Sequence, residues 1–300
     1  MSLELEQNKE LKARTTMRTG GKAEYFAQPS RLPELRELLL WAREQNKQVT
    51  VLGGGSNILI SDSGISGLVI DLKRLRRITV RGRILAALAG NLLEKAVSTA
   101  SEAGLSGLEV FSGLPGTVGG AITGNAGCFG HEISEHLAWV DFIDFEGRTH
   151  RLERADLQFS YRESPFKHQP WVILEAAFLL SPQAPHLVMG RAKHFRQQRR
   201  EMGQYRNPSM GSVFKNPSSA DGKTQLSAGK LIEEAGLLGY THRGAQIADY
   251  HGNYIINPSG EAVSQDVYEL VQIIQKRIRD ERHIELEPEI RFLGTFEDHT

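Results

Sequence analysis

The chain is expected to fold as an α+β protein, on two observations. Short apolar runs of strand length mix with segments of helical apolar periodicity, without any fixed repeat. Sixteen of its thirty glycines fall between Gly53 and Gly130, about a quarter of the 300 residues. Leu, Val, Ile and Asn are interleaved with those glycines, so the segment is too apolar for a flexible linker. Dense glycine in a foldable stretch means positive φ angles, or a backbone that something approaches closely. Either is compatible with a ligand lying against main chain.

In chain order, Ser30 can cap a helix that has Pro33 in its first turn and runs to about Asn46, with Leu35, Leu38, Leu39 and Ala42 on one face. The apolar strand Val49–Leu52 runs straight into Gly53-Gly54-Gly55, and Leu68–Asp71 reads as the next strand. Strand-like stretches from Ile78 to Gly90 precede a helix near Leu92–Ala103, stopped by Gly104. Trp139–Asp144 and Arg148–Leu152 flank Glu146-Gly147 as a hairpin, and Trp171–Leu180 reads as a long strand. A charged helix from about His186 to Met202 is broken by Pro208, which marks a domain boundary. Beyond it come a strand around Ser212–Lys215, a helix Ala228–Ala235, a strand Tyr254–Ile256, and a helix Ser264–His283 with Val267, Leu270, Val271, Ile274 and Ile278 on one face. A final strand, Glu287–Leu293, closes the fold.

Thirty-six Lys plus Arg balance thirty-six Asp plus Glu, so the net charge is zero and no nucleic-acid-binding or membrane-surface chemistry is indicated. The single cysteine, Cys128, excludes an internal disulfide framework; it reads as a small apolar residue in a reducing compartment. No apolar run reaches the ~18–20 residues of a membrane span, and Met1–Arg14 has no signal-peptide core. A cytoplasmic location is therefore expected. Several suggestive motifs fail on spacing. Gly222-Lys223-Thr224 lacks the upstream glycine of a phosphate loop, where Pro217 stands. After Gly53 and Gly55 the third position of a dinucleotide fingerprint is Ile58. His131 and His136, five apart, would diverge on a helix, and no metal site is expected.

Two constellations remain. Gly53-Gly54-Gly55-Ser56-Asn57-Ile58 follows a strand; its glycines free the backbone to present N–H groups to an anion, with Ser56 and Asn57 as side-chain donors. A tight glycine turn is the alternative. Pro115-Gly116-Thr117-Val118-Gly119-Gly120, followed by Asn125-Ala126-Gly127, opens a short helix whose N-terminal amides suit a pyrophosphate. Close helix packing is its alternative. Two such loops about sixty residues apart together point to a nucleotide cofactor.

The pair of loops resembles the FAD-binding domain of vanillyl-alcohol-oxidase-type flavoproteins, and the full set of motifs resembles the UDP-N-acetylenolpyruvoylglucosamine reductase (MurB) family. The matching pieces are Thr15-Thr16-Met17-Arg18-Thr19-Gly20-Gly21, both glycine loops, Tyr161-Arg162-Glu163-Ser164, Gly211-Ser212-Val213-Phe214-Lys215-Asn216-Pro217, Ala228-Gly229-Lys230-Leu231-Ile232-Glu233 and Leu286-Glu287-Pro288-Glu289-Ile290-Arg291-Phe292. Only His168-Gln169-Pro170 separates Lys167 from the strand at Trp171, which resembles the shorter second type of the family, without the lid tyrosine of the first. The resemblance implies a two-subdomain FAD-binding fold (1–77 and 78–207) followed by an α/β substrate-binding domain (208–292), with the tail 293–300 a candidate for return to the first subdomain. It implies non-covalent FAD, NADPH as co-substrate, and reduction of UDP-N-acetylglucosamine enolpyruvate by a monomer.

By the same resemblance, Arg162 supports the substrate carboxylate, Ser212 donates a proton and Glu289 helps hold the intermediate. Tyr161 and Asn216 are substrate-binding candidates, with Gln204 and Arg206 weaker ones. Strand alternation would place Ser212 and Asn216 on one face, about 13 Å apart, with Lys215 on the other. Taken singly, Arg162 could be a surface ion pair with Glu163, Ser212 a strand-end hydroxyl, and Glu289 part of a solvated strand face with Glu287 and Arg291. His251, Tyr254 and Asn257 resemble a family stretch in which packing is at least as good a reading. Two other readings stay open: another flavin oxidase of the same fold, and a non-catalytic sugar-nucleotide or flavin-binding module.

Overall fold

The computed structural model describes residues 4–219 and 224–298. Gly222 and Lys223 of the rejected phosphate-loop segment, and the last two residues of the tail, lie outside the described residues. The chain forms two compact units that do not follow chain order. The first comprises Met1–Gln7, Tyr25–Gly54 and Gly67–Arg199; the second comprises Asn8–Glu24, Gly55–Ser66 and Arg200–Thr300.

In the first unit, helix α1 (Leu32–Glu44) buries Leu35, Leu38, Leu39 and Ala42, the face expected from its periodicity. Its cap differs from the expectation. Arg31, not Ser30, is the extended residue before the helix, and Ser30 instead gives its N–H (2.7 Å) and hydroxyl (3.1 Å) to the Glu34 carboxylate in the first turn. Strand Val49–Leu52 pairs in parallel with Ile65–Asp71, from Val49↔Leu68 to Leu52↔Asp71, and delivers the chain directly into Gly53. A five-stranded antiparallel sheet runs in the order Thr149–Glu153, Leu137–Asp144, Trp171–Leu179, Ile84–Leu88, Ile78–Arg81. Its hairpin turns at Glu146-Gly147, where the Arg148 N–H bonds the Asp144 carboxylate at 2.9 Å. Helices α2 (Leu93–Glu102), α3 (Val118–Thr123) and α4 (Pro185–Glu201) complete the unit. One apolar core, including Leu68, Leu85, Phe111, Phe142 and Phe178, joins these elements.

The second unit has its own core. Strands Ser209–Ser212, Tyr254–Ile256, Ala245–Ile247 and Thr241–His242 form an antiparallel sheet in that order. Helices α5 (Ala228–Glu234, capped by Ser227) and α6 (Ser264–Arg282) belong to it. Helix α6 buries Val267, Leu270, Val271, Ile274 and Ile278, as its apolar spacing requires. Met17 and Leu59, far away in sequence, join the same core at 0% exposure. Strand Ile58–Ile60 pairs in parallel with Arg291–Leu293.

Two expected strands are corrected. The strand expected at Ser212–Lys215 ends at Ser212 and begins at Ser209. Its pairing slips between Ser209↔Ile256 and Ser212↔Tyr254, so three steps on one strand face two on the other. Gly211, at φ +74°, supplies the left-handed residue of that bulge. The alternation linking Ser212 to Asn216 is therefore lost, and with it the expected shared face. The closing strand spans Arg291–Leu293 rather than Glu287–Leu293. Before it, Phe214 and Pro288 make only an isolated bridge, because proline has no N–H to extend a ladder. Among the described residues, no helix is long and apolar enough to cross a membrane.

Candidate functional site

In the first unit the two glycine loops meet. A side-chain carbon added to Gly54 would stand 2.5 Å from the Gly116 Cα, and one added to Gly53 would stand 2.5 Å from the Thr117 hydroxyl. Main chain thus lies on main chain at Gly54 and against a threonine hydroxyl at Gly53, and neither position has room for a side chain. Thr117 caps α3, its hydroxyl accepting the Gly120 N–H at 3.4 Å. The next amides are already engaged: Val118 N–H bonds Asn91 O and Gly119 N–H bonds Ala89 O, each at 2.9 Å. The first amides of α3 are therefore spent on the protein's own backbone and on the Thr117 cap.

The second loop also reaches the Tyr161-Arg162 segment. Asn125 gives its amide hydrogens to Glu132 Oε2 (2.8 Å) and to Ser160 O (2.9 Å). Its side-chain oxygen is buried with no hydrogen-bond partner among the described residues. Ser160 and Glu163 exchange backbone bonds at 3.3 and 2.9 Å around a tight turn, which puts Arg162 at φ +58°. Its guanidinium stacks 5.1 Å from the Tyr161 ring centre and lies against Gly127, where a Cβ would come within 2.5 Å of Nη1. The Glu163 carboxylate is held by Lys167 (3.3 Å) and His168 (2.9 Å). Cys128, half-buried next to Gly127, has its thiol pKa pushed up by burial, against the opposing pull of Arg199 and Arg162.

In the second unit, residues from three distant stretches converge. Gly55 O accepts the Thr16 N–H at 3.0 Å, and the Thr16 hydroxyl bonds Ser209 O at 2.6 Å. The Asn57 amide bonds Glu289 O at 3.2 Å, Asn57 O accepts the Arg291 N–H at 3.1 Å, and the Glu289 N–H bonds Val213 O at 2.7 Å. Ser212 and Glu289 thus sit on neighbouring backbone segments, with Asn57 fastened to the second. Lys215 pairs with Glu287 at 2.6 Å. The Asn216 side-chain oxygen accepts the Ala228 N–H at the start of α5, at 3.0 Å. Arg206 lies over the Tyr250 ring, 4.8 Å from its centre. Asn257, fully buried, bridges Met17 O (3.2 Å) and the Ala262 N–H (3.1 Å), a packing role. The sequence does not single out Asn253, whose side chain grips the backbone of Phe214 on both sides; no spacing rule says which main chain an isolated asparagine will serve.

The sequence is 44% identical to the UDP-N-acetylenolpyruvoylglucosamine reductase of Synechococcus sp. (strain JA-3-3Ab), over 95% of this chain and 89% of that relative. The chain belongs to the UDP-N-acetylenolpyruvoylglucosamine reductase family. The reductase of that name from Caldicellulosiruptor bescii is 39% identical, over 96% of this chain and 90% of its own. The crystal structure of the reductase (MurB) from Thermus caldophilus superposes with a TM-score of 0.80 at 32% identity, covering 98% of this chain and all of that one. The family's C-terminal domain matches residues 203–293, and an FAD binding domain matches residues 23–153. The fold is accordingly α+β, an FAD-binding domain followed by the reductase C-terminal domain. The FAD match takes in both glycine loops. Their close contact at Gly53 and Gly54, with the buried Asn125 oxygen nearby in sequence, fits a flavin dinucleotide as the cofactor of this oxidoreductase.

Proposed function

We propose that this chain reduces UDP-N-acetylglucosamine enolpyruvate to UDP-N-acetylmuramate, a step of peptidoglycan precursor synthesis, with NADPH as the electron source. FAD, held by the glycine loops, would supply the redox chemistry linking NADPH to the terminal vinyl carbon of the substrate. Gly53, Gly54, Gly55, Ser56, Asn57 and Ile58 from one loop, and Pro115, Gly116, Thr117, Gly119, Gly120, Asn125 and Gly127 from the other, hold the cofactor without a covalent tether. Asn57, bonded to Glu289 O, also steadies the catalytic segment.

Hydride addition leaves negative charge on the neighbouring carbon and its carboxylate. Arg162 supports that carboxylate, where a guanidinium's two-pronged donation suits it. Ser212 gives a proton to the carbon, and Glu289 helps hold the intermediate as charge develops. Tyr161 and Asn216 contact the substrate. Functionally, 1–77 and 78–207 carry the cofactor and 208–292 the sugar nucleotide. The enzyme acts as a monomer in the cytoplasm, where NADPH and a nucleotide-activated sugar are both at hand. The convergence of Asn57, Ser212 and Glu289, through the Glu289–Val213 and Asn57–Glu289 bonds, carries this reading.

Anaerobic half-reaction kinetics test it. NADPH should bleach the yellow protein, and only the enolpyruvyl sugar nucleotide should restore the colour. Ser212→Ala, Glu289→Gln and Arg162→Lys should each leave bleaching within about twofold and slow recovery by roughly 100-fold or more, as loss of a general acid or a charge-stabilising group does. Equal loss in both halves removes the residue from the chemistry. Rapid recovery in air alone makes the protein an oxidase, and a colourless protein makes it a binding module.

A further inference from the structure

We propose that Asn253 is a positioning residue, holding the Ser212 hydroxyl in register for proton transfer; this rests on the reading of Ser212 given above. All four polar groups of Asn253 are engaged. Its side-chain oxygen accepts the Phe214 N–H and its amide donates to Phe214 O, both at 2.9 Å. Its backbone oxygen accepts the Val213 N–H at 2.9 Å, and its own N–H bonds His251 Nδ1 at 3.2 Å. The side-chain amide imitates the paired donor and acceptor of a neighbouring strand, continuing the pairing of a strand that has just ended.

The consequence falls on Ser212. On its N-terminal side lies the bulge at Gly211, φ +74°; on its C-terminal side the next two residues are pinned by Asn253. Bulges re-aim a side chain, and only a fixed neighbour makes the new aim definite. Glu289 follows the same clamp, because its N–H bonds Val213 O at 2.7 Å. The clamp is itself anchored, since a Cβ at Gly252 would overlap the Gly229 carbonyl of α5. Asn253 is 5% exposed, so water cannot readily replace its bonds. Only a planar amide offers an acceptor and a donor together at that spacing.

Asn253→Asp keeps the acceptor for the Phe214 N–H and turns an oxygen toward the Phe214 carbonyl. Flavin reduction by NADPH should stay within about twofold of the parent, while reoxidation by the enolpyruvyl substrate should slow by about tenfold or more, the scale of a small misplacement of a reacting group. The defect relative to the parent should shrink as pH falls, because the protonated carboxyl can again donate to Phe214 O. His251 is the titratable group bonded to this residue; a new carboxylate beside it would shift its titration, so the carboxyl-free Asn253→Ser, which keeps His251, serves as its control. Asn253→Ser, which shortens the side chain, should show the same split without the pH-dependent recovery. Ile274→Val, a small loss in the same core, serves as a stability control: its melting temperature should fall with no split between the halves. Parallel loss in both half-reactions, or no change in either, overturns the proposal. If Ser212→Ala reoxidises normally, the reading of Ser212 fails first, and the inference about Asn253 fails with it.

Discussion

His251 shows how one half-buried ring couples charge to stability. It stacks on Tyr254 with centroids 4.1 Å apart, and its Nδ1 accepts the Asn253 N–H. Burial lowers its pKa below the usual 6.5, against weaker opposing contributions from its own backbone and Glu233. In the folded state the ring therefore resists protonation, whereas in the unfolded chain it protonates normally. Between the two pKa values the unfolded state binds more protons. The stability contribution is complete above pH 6.5, falls as pH drops toward the folded value, and levels off below it. His251→Gln should flatten this part of the profile, read from urea titrations between pH 8 and pH 5. His136, also lowered by burial, and the lowered carboxylates of Glu109, Glu135 and Glu269 supply what slope remains. A variant profile with the same steepness as the parent would refute the assignment.

Helix α6 is fixed at its start and along its first half by chain that its own sequence does not reveal. Asp62 receives the Ser264 and Gln265 N–H groups at 2.9 and 2.8 Å, a carboxylate cap delivered from about two hundred residues upstream. The tail is laid along the same helix: Tyr268 Oη and Gln272 bond Asp298 at 2.8 and 2.9 Å, and Phe296 stacks on Tyr268 at 4.7 Å. Asp62→Ala should cost about 1–2 kcal/mol, the usual effect of losing an N-cap, seen as a lower urea midpoint at unchanged slope. An unchanged midpoint would mean that water replaces the cap at no loss. The apolar stripe of α6 was legible in sequence because it repeats every three to four residues. The Asp62 cap was not, because capping needs only proximity, and proximity is set by the fold. The same holds for the strand that ends at Ser212: the apolar pair Val213-Phe214 set the expected strand three residues too late, and the bulge at Gly211 appears only against a partner strand.

Each of the two units owns a core, and the second is assembled from three stretches of chain. Met17 and Leu59 sit in the core of the second unit at 0% exposure, and Ile58–Ile60 pairs with Arg291–Leu293. A fragment covering 203–293, the extent of the family's C-terminal domain, lacks both contributions. It should unfold without a cooperative transition by circular dichroism, because two core side chains and a paired strand are missing. A sharp melt from that fragment would show that 8–24 and 55–66 are dispensable to the unit's stability.

The chain's residues alone specified the α+β character, the longer helices, part of the strands, and the two glycine loops. They also carried the family resemblance, because hydrophobic period and glycine spacing are local properties written along the chain. Tertiary structure decided what no local pattern encodes: that Gly54 rests on Gly116, that Glu289 hangs beside Val213, and that Asn253 completes a strand it does not belong to. Those are contacts between stretches distant in sequence. Their partners are chosen by burial and by the need to satisfy every buried polar group, conditions that exist only once the chain has folded.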